Sequence, residues 1–188
     1  MPLRNVPRLS AVSFGGSYCE FLIQNFEQLS SYLSQLESLM LDFDYPNLVR
    51  YPNFPTLSNL RQLELKVYVH YGDSLFYCTS LIKASPLLYK FVLQLLWSEN
   101  PLGRNRRIQK VKTHPYCCLK VVELIGFVGC ATDIGLAKYL LKNASSLEKI
   151  IIKPLPRMDC MKLEKVTARE RARQLRADLP PGAELVIL

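Results

Sequence analysis

Three short stretches hold the residue types from which a chemical site could be built. His114, Cys117 and Cys118 put an imidazole and two thiols close together, which would suit the corner of a zinc site. A closed structural zinc takes four ligands, however, and the only other histidine, His70, has no thiol pair beside it. Gly126-Phe-Val-Gly129 falls between a strand pattern and a helix pattern, the position of a phosphate-binding turn. Its spacing matches neither G-x-G-x-x-G nor the P-loop, so the glycines are expected simply to let the chain turn. Arg104, Arg106 and Arg107, followed by Lys110 and Lys112, form a run without an acid, and guanidinium forks of this kind dock phosphate or carboxylate. Aromatic stacking partners are sparse within it, unlike a single-strand binder, so a solvated loop is the simpler reading. No G-x-S-x-G elbow and no H-E-x-x-H pair occurs. The expectation is a chain that is not an enzyme and that holds no metal or cofactor.

Net charge points the same way once it is located. The 188 residues carry 24 Lys+Arg against 16 Asp+Glu, a formal +8, which invites a nucleic-acid reading. Residues 1–94 hold 7 bases and 7 acids, so the whole excess lies in residues 95–188, mostly in the 104–112 run and in Lys162–Arg176. A composition 49% hydrophobic and 21% charged is that of an ordinary folded chain. The longest stretch without a charge, Leu9–Cys19, has 11 residues, where a membrane span needs roughly 18 or more. The first residues do not read as a secretory signal, and the six cysteines (19, 78, 117, 118, 130 and 160) form no C-x-x-C pair. They are expected to be reduced thiols acting as small apolar residues, Cys78 and Cys130 above all, in cytoplasm or nucleus.

The elements that would position any site follow from an internal repeat. An L-x-x-L-x-L template recurs as Leu9-Val12-Phe14, Leu36-Leu39-Leu41, Leu60-Leu63-Leu65, Leu88-Phe91-Leu93, Leu119-Val122-Leu124 and Leu147-Ile150-Ile152. Its first positions are 27, 24, 28, 31 and 28 residues apart. A leucine-rich repeat has such a period, each unit a short strand followed by a helical or irregular return. The returns carry the helical spacing: Phe21, Leu22, Phe26, Leu29 and Leu33; Leu75, Cys78, Leu81 and Ile82; Ile134, Ala137, Leu140 and Leu141. Asp133 is placed to cap the last of these helices. Thr167-Ala-Arg-Glu170 reads as a capping box that opens a further helix with Ala168, Ala172, Leu175 and Leu179 on one face. Pro180-Pro-Gly182 stops that helix, and Leu185–Leu188 reads as a closing strand. The fold class is therefore α/β: a leucine-rich-repeat solenoid of about six strands over residues 1–163, with a curved, mainly parallel sheet. A helix–strand cap over 164–188 completes the same domain.

Because strand side chains alternate, the positions between the buried ones line the other, concave face. That face is expected to hold Ser38, Met40 and Asp42; Gln62, Glu64 and Lys66; Lys90, Val92 and Gln94; Val121, Glu123 and Ile125; and Lys149, Ile151 and Lys153. Charge mixed with exposed aliphatics is the composition of a protein-binding face, and Met40, Asp42, Glu64, Lys66, Val92, Gln94, Glu123, Ile125, Ile151 and Lys153 are its candidate contacts. The alternative is a nucleic-acid-binding protein that uses Arg104, Arg106 and Arg107.

The second half also resembles a known family. His114-Pro-Tyr-Cys-Cys-Leu-Lys-Val-Val-Glu-Leu-Ile-Gly-Phe, then Gly129 and Ala137-Lys-Tyr-Leu-Leu-Lys-Asn-Ala-Ser-Ser-Leu-Glu-Lys-Ile, are similar to plant F-box/leucine-rich-repeat proteins with an FBD-type C-terminal region. So is the closing Leu-Pro-Pro-Gly-Ala-Glu-Leu-Val-Ile-Leu. The resemblance implies substrate recognition by the repeats of a cullin–RING ubiquitin ligase, with an F-box docking on a Skp-type adaptor. Repeat material begins here at Leu9, so the F-box is expected to be missing. Only recognition of a protein partner or substrate then carries over, with adaptor docking only if an F-box is supplied elsewhere.

Overall fold

The structure is a computed structural model that describes residues 10–26, 28–43, 54–69, 74–98, 113–155 and 165–188. Seven strands run in sequence order across one open sheet, every neighbouring pair parallel: β1 Ala11–Gly15, β2 Ser38–Phe43, β3 Gln62–Val69, β4 Lys90–Trp97, β5 Val121–Phe127, β6 Lys149–Pro154 and β7 Glu184–Ile187. The chain is thus an α/β leucine-rich-repeat fold, and the closing strand joins the sheet as its seventh member.

The template explains the register. Its last two positions form two apolar rows running straight across the strands, Val12, Leu39, Leu63, Phe91, Val122, Ile150 and Leu185 in one and Phe14, Leu41, Leu65, Leu93, Leu124, Ile152 and Ile187 in the other. A one-residue slip in any strand would turn its apolar set to the opposite face, so burial enforces the alignment. The first template position enters the core just before each strand: Leu36, Leu60, Leu88, Leu119 and Leu147 are all buried. A tight turn brings most of them there, with the Leu36, Leu60, Leu88 and Leu147 amides donating to the carbonyl three residues back. Leu9 lies outside the described residues.

The returns are helical but shorter than their periodicity suggests. Residues 21–33 do not form one helix: α1 (Ser17–Gln24) and α2 (Ser30–Leu33) are separate, and Phe21 points outward at 60% exposure while Leu22, Phe26 and Leu33 enter the core. Leu75–Tyr77 is a 3-10 turn leading into α3 (Cys78–Ala84), and α4 spans Ala131–Asn143. These helices cover the face with the two apolar rows; on the opposite, open face the described strand residues are mostly only partly buried. In the cap, α5 spans Lys165–Gln174 and continues as a 3-10 turn to Asp178, burying Ala168, Ala172 and Leu175 as its spacing requires. The capping-box expectation is corrected here. The helix already runs from Lys165, so Thr167 is inside it and not at its cap; the Thr167 side chain lies outside the described residues.

Candidate protein-binding face

On the open face the register builds three rows. The first runs Ala11, Ser38, Gln62, Lys90, Val121, Lys149, Glu184; the second Ser13, Met40, Glu64, Val92, Glu123, Ile151, Val186; the third Gly15, Asp42, Lys66, Gln94, Ile125, Lys153. The candidate contacts Met40, Asp42, Glu64, Lys66, Gln94, Ile125, Ile151 and Lys153 are half-buried there. Val92 and Glu123 share the face but are nearly closed off, at 8% and 9% exposure, which corrects the expectation of an exposed row. Both stand in the middle row of central strands, and Lys90 and Lys153 reach Glu123 from the strands on either side.

Cross-strand pairing sets the electrostatics of this face. Directly opposite residues pair as Lys66 with Asp42 at 2.6 Å and Lys149 with Glu184 at 3.0 Å. Glu123 pairs diagonally to both sides: its Oε1 lies 2.6 Å from Lys153 Nζ on β6 and its Oε2 3.9 Å from Lys90 Nζ on β4. Long side chains reach such diagonal neighbours readily. Glu123 thus sits beneath two ammonium groups, and Val121, Ile125 and Ile151 surround the triad with aliphatic surface. One carboxylate oxygen of Asp42 is buried without a hydrogen-bond partner. Sheets of this kind offer side chains on a rigid frame, which suits recognition more than chemistry.

The other sequence candidates resolve differently. Arg104, Arg106, Arg107 and the rest of the 104–112 run lie outside the described residues. The His114 ring stacks on Tyr116 at 5.6 Å between centroids, while Cys117 is exposed and Cys118 half-buried. Among the described residues no group of three or more His, Cys, Asp or Glu could hold a metal ion. No helix among them is long and apolar enough to cross a membrane. Cys78 and Cys130 are buried, and burial pushes both thiols up, that of Cys130 to about 11.

At Gly126-Phe-Val-Gly129 the amides that a phosphate would need are already taken. Asp133 Oδ2 accepts from the amides of Val128 at 2.8 Å and Gly129 at 2.9 Å, and Oδ1 from Ile134 at 2.8 Å. Asp133 therefore does not cap α4 as expected but folds back onto the turn before it, supplying an internal anion. The position is fully buried, and desolvation pushes its carboxyl up to about 6, the three amide donors pulling it down by less. Two positioning residues escaped the sequence reading. Asn143 Oδ1 accepts from the His114 amide at 3.0 Å while its Nδ2 donates to the Tyr139 carbonyl at 2.7 Å, tying the end of α4 to the preceding repeat. Trp97 Nε1 donates to the Gly126 carbonyl at 2.7 Å. Nothing in the residue types or spacing of the sequence marked either contact.

Among known families, the model described as "At1g61320/AtMIF1, LRR domain" matches residues 4–177. No curated protein and no solved structure matches the chain.

Proposed function

Because the chain belongs to the At1g61320/AtMIF1 family of plant leucine-rich-repeat domains, we propose that it is a non-catalytic recognition module of the substrate-receptor type found in plant F-box proteins. Domains of this class are protein-interaction modules. The observation that carries the reading is the open sheet face, where Val121, Ile125 and Ile151 surround the Lys90–Glu123–Lys153 triad. Aliphatic surface supplies the hydrophobic gain of association, and fixed charges select among partners. In a ligase, the F-box and its Skp-type adaptor would be contributed outside these repeats.

A pull-down from plant extract tests the reading. Immobilised wild-type protein should retain a defined set of proteins that is lost with Ile151→Asp and with Lys153→Glu. The same set should survive Tyr18→Ser, which alters an exposed residue of α1 away from the sheet. Retention that ignores both open-face substitutions would overturn it. A receptor role further requires that captured proteins become ubiquitinated once an F-box on the same chain recruits the adaptor and ligase.

A further inference from the structure

Within that reading, the charges of the open face specify the chemistry of the partner. Lys66 and Lys149 each have an acid directly opposite on the neighbouring strand, Asp42 and Glu184, so these pairs are neutral. The triad is not: two ammonium groups share one carboxylate, leaving a single positive charge. The cations are its accessible part, since the Lys90 and Lys153 side chains are 39% and 40% exposed while that of Glu123 is 12% exposed. Lys90, at 3.9 Å, is at the outer limit of pairing and gains little from Glu123 in water. Glu64, two strands away in the same row and thus about 10 Å off, forms no ion pair among the described residues.

We infer that the open face takes a protein segment that places an Asp or Glu carboxylate between Lys90 and Lys153, with an aliphatic side chain beside it on Ile125 and Ile151. A second carboxylate turns the triad into a neutral two-plus-two cluster, and Glu123 beneath has already lost most of its water. A basic segment meets the net positive charge and is repelled. Glu64 repels further acid on the β3 side, so the acidic part of the segment belongs over β4–β6. Glu123 has an unusual place in this scheme: it orients both lysines yet competes with the partner for them.

That competition makes the inference testable apart from the recognition reading on which it rests. Two fluorescein-labelled peptides of equal length and aliphatic content, one with aspartates and one with lysines at the same positions, are titrated with the full chain by fluorescence anisotropy. The acidic peptide should bind more tightly, and binding should weaken as salt rises. Its Kd should rise by about tenfold in Lys153→Met and Lys90→Met, the order expected for loss of one charged contact. In Glu123→Gln it should fall several-fold, because the internal competitor is gone; a residue that merely held the face together would weaken binding instead. Circular-dichroism melts establish that each variant is folded, and the two lysine variants decide the matter if Glu123→Gln is not. Equal binding of both peptides, insensitivity to the lysine substitutions, or dependence on Arg104, Arg106 and Arg107 instead would overturn the inference. If that happens while extract partners are still lost with Ile151→Asp, the recognition reading stands; if those partners ignore the face as well, both fall.

Discussion

Arg171 Nη1 donates to the carbonyl of Gly129 at 2.7 Å, joining the cap helix α5 to the turn that follows β5 across 42 residues of chain. The stem of Arg171 lies flat on the same glycine. A Cβ placed on Gly129 would stand 2.7 Å from Arg171 Cδ and 2.8 Å from its Cβ, and the glycine has φ +75°. Two facts about one residue, its conformation and its bareness, therefore dock the cap.

Gly129→Ala should accordingly destabilise the chain by about 2–3 kcal/mol, left-handed strain contributing about 1–2 and displacement of Arg171 the remainder. Arg171→Ala alone should cost about 1 kcal/mol through loss of its hydrogen bond and packing. The double variant should be less destabilised than the sum of the two, because truncating Arg171 removes the overlap. Urea unfolding of the four proteins measures this coupling, and strict additivity would contradict the docking argument.

Asp133 makes stability depend on pH with a definite sign. Its carboxyl keeps its proton up to about 6 in the folded chain, against an ordinary 3.8 when unfolded. Between those values the folded state binds more protons, so this residue's contribution falls as pH rises across the window. Relative to Asp133→Asn, which does not titrate, the wild type should lose on the order of 2 kcal/mol between pH 4 and pH 7. Thermal melts of both proteins across that range check it, and a wild-type advantage growing with pH would refute it. Asp133→Ala, which abandons the buried amides of Val128 and Gly129, should cost more than Arg171→Ala at every pH.

The contrast between these residues and the strand leucines shows what a sequence of this kind exposes. The two apolar rows are legible because every repeat solves the same problem with the same spacing, so six imperfect copies reinforce one another. Asp133, Asn143 and Arg171 act once each, through contacts to backbone that the fold alone brings near. Asp133 was visible as a helix-start residue, but its true partners are the amides of a turn whose shape depends on two positive-φ glycines. The open face was legible as rows and not as burial. Alternation gives the direction of Glu123, whereas its near-closure follows from Lys90 and Lys153 reaching in from the two neighbouring strands, 33 and 30 residues away in the chain.

Gly126 tests the sheet itself. It has φ +79°, and a Cβ there would overlap the backbone carbonyl of Leu95 on β4, which cannot swing aside as a long side chain can. The pairing of β5 with β6 is irregular at the same point, between Ile125 and Phe127. Gly126→Ala should therefore cost more than Gly129→Ala, at least about 3 kcal/mol. It should also disturb Trp97, whose indole donates to the Gly126 carbonyl. Trp97 is the chain's single tryptophan, so its fluorescence reports the change without labelling. An unchanged emission spectrum with unchanged stability would sink the claim.

Stability should also be graded along the array. In a one-dimensional stack each repeat rests on its neighbours, and among the described strands β1 and β7 each pair with one neighbour while the inner strands pair with two. The packing already shows this: Val12 and Phe14 on β1 and Leu185 and Ile187 on β7 are only partly buried, whereas Leu65, Phe91, Leu93, Val122 and Ile150 are completely enclosed. Amide hydrogen exchange should therefore be slowest on β3–β6 and faster on β1 and β7, which open without unfolding the centre. Leu124→Ala, in the enclosed row, should cost about 2–5 kcal/mol and speed exchange on every strand. Val12→Ala should cost less and speed exchange mainly on β1 and β2. Uniform protection across all seven strands would mean that the array unfolds as one unit and that its ends gain support beyond neighbour stacking.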